Sequence, residues 1–136
     1  MYFIVEGTPK PLQRHRHTRK GFTYDPSKKD KHDFLYQVIK LAPKPPLTSA
    51  LRIMIVFYMP RPKSHFRTGK FRHLLKSKAP IQHKSTPDLD NLVKMVCDSL
   101  NKVFYKDDSQ ISQLKAEKLY CDIDEKARTE VHIGQI

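Results

Sequence analysis

The chain has 136 residues, with 26 Lys and Arg against 14 Asp and Glu, a net charge of +12 and an apolar fraction of 38%. That length suits a single domain, residues 1–136, with a real core. No window approaches the roughly 20 apolar residues of a membrane span, "MYFIVEGTPK" lacks the basic-then-apolar order of a signal peptide, and Cys97 and Cys121 make neither a disulfide framework nor a zinc pattern, so a reduced, cytoplasmic protein is expected.

"YFIVEG", residues 2–7, is aromatic and β-branched and predicts a strand ended by glycine. The proline- and arginine-containing segment that follows reads as an extended arm. Asp25 and Pro26 are a candidate N-cap and first helical residue. Phe34, Leu35, Val38, Ile39 and Ala42 then recur at helical spacing until Pro43, Pro45 and Pro46 end the helix. "ALRIMIVFYMP" is apolar on both faces and predicts a central strand covered on each side. Residues 61–87 form a long basic loop with eight Lys and Arg and three His. In "DLDNLVKMVCDSLNKVF", Leu89, Leu92, Val93, Val96, Leu100 and Val103 fall on one helical face. "QISQLKAEKLYC" and "ARTEVHIG" predict strands joined by a tight turn as a hairpin. The order β-α-β-loop-α-β-β gives an α+β fold with a mixed sheet.

The charge is uneven. Residues 1–87 carry 19 basic and 4 acidic side chains, and residues 88–136 carry 7 and 10. Residues 34–87 hold no acid, whereas "TPDLDNLVKMVCDSLNKVFYKDDSQI" holds five of the 14. A basic excess of this kind attracts polyanions. Nucleic acid is favoured over anionic membrane, because no basic amphipathic helix with a broad apolar face is present. Ordinary surfaces intersperse both signs, so a merely solubilising role suits an acid-free run this long poorly.

On the second helix Asp90, Lys94 and Asp98 share the outer stripe, Asp88 lies at the first turn, and Asp107 and Asp108 follow the helix. For these to meet, the next strand must run back along the helix. Converging carboxylates repel unless a cation sits among them, and an all-oxygen set favours Mg²⁺ or Mn²⁺ over zinc. A metal beside a lysine suits phosphodiester hydrolysis, since it lowers the pKa of a bound water and, with the ammonium, offsets charge on the phosphorane. Singly, each residue has a plainer reading: Asp88 as a cap, Asp90 and Lys94 as a surface ion pair worth roughly 0.3–0.5 kcal/mol, Asp107 and Asp108 as turn residues.

"PDLDNLVKMVCDSL" followed by "YKDDSQI" resembles the hallmark of RusA-family Holliday junction resolvases: Asp-x-Asp-Asn-x-x-Lys on a helix, then an Asp-Asp pair about a dozen residues on. The resemblance implies a RusA-like homodimer that resolves four-way DNA junctions by paired, symmetric, Mg²⁺-dependent nicks in recombination and repair, with Mn²⁺ able to substitute and no small-molecule cofactor. It implies that Asp88, Asp90 and Asp108 bind the metal, that Lys94 is the catalytic lysine, and that Asp107 supports Asp108. Residues 61–87 are longer than the corresponding connection in the shortest family members, and the segment from Lys94 to Asp108 is slightly shortened. Two alternatives are a nuclease of the same fold acting on flap or other branched DNA, and a non-catalytic basic DNA-binding protein.

Arg14, Arg16, Arg19 and Lys20 on the arm, and Arg61, Lys63, Arg67, Lys70, Arg72, Lys76, Lys78 and Lys84 on the long loop, are candidate phosphate contacts. Phe66 and Phe71 either stack on an unpaired base or pin the loop. His15, His17, His65, His73 and His83 match no zinc spacing. A four-way junction is nearly two-fold symmetric, which suits a C2 dimer with two active sites.

Overall fold

Alternation along each strand decides which face of the sheet is covered. In the computed structural model, which describes residues 1–136, β1 (Tyr2–Glu6) turns Phe3 and Val5 inward and leaves Tyr2 and Ile4 exposed. The arm forms a small antiparallel hairpin, β2 (Arg16–His17) with β3 (Thr23–Tyr24). Helix α1 (Lys28–Val38), β4 (Leu51–Met59), α2 (Leu89–Leu100), β5 (Ile111–Tyr120) and β6 (Arg128–Gln135) complete the chain. The main sheet has the order β1-β6-β4-β5. β4 and β5 run parallel and the other pairs antiparallel, so the fold is α+β with a mixed sheet. No helix is long and apolar enough to cross a membrane.

The core lies on one face of this sheet. Ile53, Ile55 and Phe57 of β4, Val131 and Ile133 of β6, and Phe3 and Val5 of β1 meet Leu92, Val96 and Leu100 of α2 and Val38 of α1, with Phe104 and Tyr105 closing the end. On α2 the buried set also includes Met95 and Ser99, while Leu89 and Val93 are only half-buried. The stripe is therefore rotated slightly from its sequence reading.

Three expectations need correction. The last two strands are not a hairpin: β4 lies between them and pairs with both. The β4–β5 pair is parallel, which requires a long crossover, and α2 supplies it. The chain then crosses the end of β4 to reach its other edge as β6. β4 is central in the sheet but covered on one face only, since its burial alternates along the strand and Met54 is 39% exposed. Both helices lie on the same side, and nothing in the chain covers the other.

Helix α1 begins at Lys28, after a Ser27 cap position that makes no side-chain capping bond. Asp25 instead accepts the Ser27 N–H at 2.9 Å and pairs with Lys31, making a turn ahead of the helix. Residues 61–87 hold only short 3₁₀ turns between β4 and α2, and this loop folds back on itself. Arg67 N–H donates to the Leu74 carbonyl at 2.8 Å and Lys76 N–H to that of His65 at 2.9 Å.

Candidate active site

The first turn of α2 presents two free carboxylates. Asp88 occupies the N-cap position with extended backbone, yet its side chain makes no capping bond. Asp90 is exposed and accepts only the Asn91 N–H, at 2.9 Å. Lys94, one turn further on, is exposed and joins none of the ion pairs of the chain. Neither plain reading of these residues, cap or surface ion pair, describes what they do.

Two neighbours position this turn. Lys118 of β5 donates to the Pro87 carbonyl at 2.6 Å and to that of Ser85 at 2.5 Å, fixing the approach to Asp88. From the arm, Leu12 N–H donates to the Asn91 carbonyl at 2.9 Å. The contacts of Lys118 also show that β5 runs back along α2, as the carboxylate argument requires.

Asp108, however, lies before the start of β5, beside the last turn of α2. The chain makes a 3₁₀ turn at Asp108–Gln110, and the two adjacent aspartates take opposite parts in it. Asp107 caps the turn, accepting the Ser109 N–H at 3.0 Å and the Lys102 ammonium at 3.1 Å, while Gln110 accepts the Asp107 N–H at 2.8 Å. Hydrogen bonds from Ser109, with help from Lys102, hold the Asp107 carboxyl down at about 2. Asp108 is half-buried, and its Oδ1 is enclosed without a hydrogen-bond partner. Burial, and then the nearby Asp98 charge, push its carboxyl above the usual carboxylate range. The Tyr105 hydroxyl lies alongside, but its one proton goes to the Cys97 carbonyl at 2.7 Å, leaving that oxygen unserved. Burial pushes the Cys97 thiol up to about 12, which removes it as a nucleophile.

The carboxylates thus form two pairs, Asp88 with Asp90 and Asp98 with Asp108, at opposite ends of α2 and on the order of 15 Å apart at a helical rise of 1.5 Å per residue. Within one chain no three His, Cys, Asp or Glu side chains gather into a group that could hold a metal ion. The expected meeting of Asp88, Asp90 and Asp108 does not occur inside the protomer. The donor chemistry still suits a hard divalent cation, being all oxygen, and the orphaned Oδ1 of Asp108 is an atom such an ion satisfies. The chain carries two separate pairs of carboxylates rather than one cluster.

Asp98 is the member that the motif did not assign. Its signal was present in the sequence: it stands two turns after Asp90 on the same stripe. Lys118 gave no signal, because its role depends on which carbonyls β5 passes.

Most candidate phosphate contacts are exposed: Arg14, Arg16, Arg19 and Lys20 on the arm, and Lys63, Arg67, Lys70, Arg72, Lys76, Lys78 and Lys84 between residues 61 and 87. Arg61 differs. Its guanidinium donates to the Cys121 carbonyl at 2.6 Å and the Pro80 carbonyl at 2.7 Å, and lies 5.3 Å from the centre of the Tyr120 ring. It staples the basic segment to the end of β5. Phe66 is half-buried and bridges to Leu75, and Phe71 lies beneath Arg67 and Lys70, so both rings are used within the segment. His65 and His83 both pack on Tyr120.

The profile of the endodeoxyribonuclease RusA family matches residues 6–134, which takes in β4, β5, nearly all of β6, both helices and all four carboxylates. The chain belongs to the RusA family. A Bacillus subtilis (strain 168) relative, "Uncharacterized protein YqaN", is 33% identical over 142 residues, covering 98% of this chain and 95% of the relative. A "Crossover junction endodeoxyribonuclease rusA" of Lactococcus phage r1t is 47% identical over 53 residues, 38% of each protein. RusA membership indicates an endodeoxyribonuclease, and it accounts for a basic surface next to free carboxylates better than a non-catalytic binding protein does.

Proposed function

We propose that this RusA-family protein is a Mg²⁺-dependent resolvase of four-way DNA junctions that acts as a homodimer in recombination and repair, with Mn²⁺ able to replace Mg²⁺. The observation that carries the reading is the division of free carboxylates between the two ends of α2, with a buried, unpartnered oxygen on Asp108. A two-fold axis across α2 sets that helix antiparallel to its copy. Each Asp88–Asp90 pair then faces Asp98 and Asp108 of the partner subunit, and two complete oxygen sites result. The outer side of α2 suits such a pairing, because Val93 and Cys97 are only partly covered there beside Asp90, Lys94 and Asp98.

A divalent cation, if held by these aspartates, would supply a more acidic water and offset negative charge at the phosphate. The residues of the chain do the rest. Lys94, free of any carboxylate, holds a phosphate oxygen and stabilises the charge that develops as the phosphodiester bond breaks. The exposed basic residues of the arm and of residues 61–87 position the DNA backbone without reading bases. Lys118, through the Pro87 carbonyl, keeps the first turn of α2 in place.

The test is cleavage of an end-labelled mobile four-way junction, beside flap and linear duplex DNA, with Mg²⁺ or EDTA. Wild type should give paired symmetric nicks in the junction only, and only with Mg²⁺. Asp90→Asn should lower the rate on the order of 100-fold or more while junction binding is kept. Preferential cutting of flaps, or loss of binding in step with cutting, contradicts the proposal.

A further inference from the structure

The hairpin of β2 and β3 buries nothing. Both strands are exposed throughout and pair only with each other. Its tip is nonetheless a hydrogen-bonded turn. Thr18 N–H donates to the Phe22 carbonyl at 2.7 Å, Phe22 N–H to the Thr18 hydroxyl at 3.1 Å, and Gly21 N–H to the Thr18 carbonyl at 3.0 Å. Gly21 has φ +82°, a left-handed conformation that glycine adopts without strain. Below the tip, the Thr23 hydroxyl and His17 Nδ1 are 2.9 Å apart.

This turn holds Phe22 outward at 68% exposure, against 42% for Phe71, and no other ring or cation covers it. Exposing a phenylalanine on a built, core-independent tip has no use for folding. The surroundings identify its partner by sign: residues 8–24 contain Lys10, Arg14, Arg16, Arg19 and Lys20 and no acid. A protein partner for an apolar tip does not call for that field, and a nucleic acid does.

The root of the hairpin is fixed to the cutting machinery. Leu12 is hydrogen-bonded to Asn91, the neighbour of Asp90, and Thr18 is the sixth residue after Leu12. Extended chain over that span reaches at most about 20 Å, which is about six base steps of a DNA strand. The tip therefore lies within about six base steps of the phosphate that Asp90 and Lys94 address.

We propose that Phe22 is the branch-point wedge of this protein, a specificity-determining residue whose ring inserts between or stacks on bases unpaired or unstacked at the junction while Arg16, Arg19 and Lys20 hold the flanking phosphates. The proposal rests on the junction reading above and deepens it: phosphate contacts give affinity for any DNA, and the wedge gives preference for a branch. A junction supplies poorly stacked bases at low cost, whereas intact duplex must be forced open.

The experiment uses the full chain in EDTA, so that nothing is cut. Binding to a four-way junction carrying 2-aminopurine at the branch point is compared with binding to linear duplex of the same sequence, for wild type, Phe22→Ala, Phe22→Tyr and Phe71→Ala. Wild type should prefer the junction and change the branch-point fluorescence. Phe22→Ala should lose about 10-fold in junction affinity, keep its duplex affinity and lose the fluorescence change. Phe22→Tyr should restore both, and Phe71→Ala should behave as wild type. A Phe22→Ala protein that binds and unstacks the junction as wild type overturns the wedge, as does an equal loss on junction and duplex. A loss of dimer mass by light scattering in Phe22→Ala would reassign the ring to a subunit contact. A wild type without junction preference removes the resolvase reading itself.

Discussion

Asp107 and Asp108 are adjacent in sequence and opposite in energetics. The carboxylate of Asp107 is served by Ser109 and Lys102 and holds its charge readily, whereas that of Asp108 is partly desolvated and faces Asp98. Substitution by asparagine should therefore act in opposite senses. Asp107→Asn removes a favourable charge and should lower the melting temperature while leaving cleavage within a few-fold of wild type. Asp108→Asn relieves an unfavourable charge and should raise the metal-free melting temperature while abolishing cleavage. Mg²⁺ should raise the melting temperature of wild type, by relieving the repulsion in each carboxylate set, and should do so far less for Asp108→Asn. Parallel melts with and without Mg²⁺ check all three, and equal shifts in the two variants would sink the distinction.

Among the elements, the basic segment 61–87 combines two functions that its composition does not separate. Arg61 holds the segment to β5, and the exposed cations are the residues proposed to meet DNA. Arg61→Ala, which strips charged donors from two carbonyls, should cost about 1.5–3 kcal/mol of stability per bond removed and leave the salt dependence of binding unchanged. The triple change of Arg67, Lys70 and Arg72 to Ala should do the reverse, lowering the log–log salt slope by about 0.9 for each phosphate no longer neutralised at constant melting temperature. A salt titration of junction binding and one thermal melt per variant decide it.

The same packing carries a pH dependence. Burial, then Lys118, lowers the pKa of His83 below its usual 6.5, and burial, then Arg61 and Lys76, does the same for His65. The unfolded chain therefore takes up these protons first as pH falls. The stability they confer is complete above 6.5 and is lost as pH drops from there toward the lower folded-state values. The melting temperature should fall on acidification below pH about 6.5, and His83→Phe should flatten that slope. An unchanged slope would contradict the assignment.

Periodicity made β1, β4 and α2 legible in the sequence, because alternation and the helical stripe record which side chains are buried. It could not tell that β4 separates β5 from β6, since a strand's pattern names its faces and not its neighbours. The start of α1 was misplaced because Asp25 forms a turn ahead of the helix instead of capping it. The site was half legible for a related reason. The motif supplies residue types, but only the topology shows that Asp108 sits in the turn before β5, next to Asp98 and far from Asp88.

For the whole molecule, one protomer is a one-faced sheet with two helices, a basic arm, a stapled basic segment and a divided set of carboxylates. The division is the central claim, because the proposed dimer would complete each oxygen site as well as match a two-fold substrate. Its most direct test is subunit complementation. Asp90→Asn and Asp108→Asn proteins, each inactive alone, are mixed under conditions that exchange subunits and assayed for Mg²⁺-dependent nicking of a labelled four-way junction. If each site draws Asp88 and Asp90 from one protomer and Asp98 and Asp108 from the other, the mixed dimer places both substitutions in one site and leaves the second site wild type, so single nicks return. If every site is built within one protomer, both sites of the mixed dimer stay defective and the mixture remains as inactive as its components.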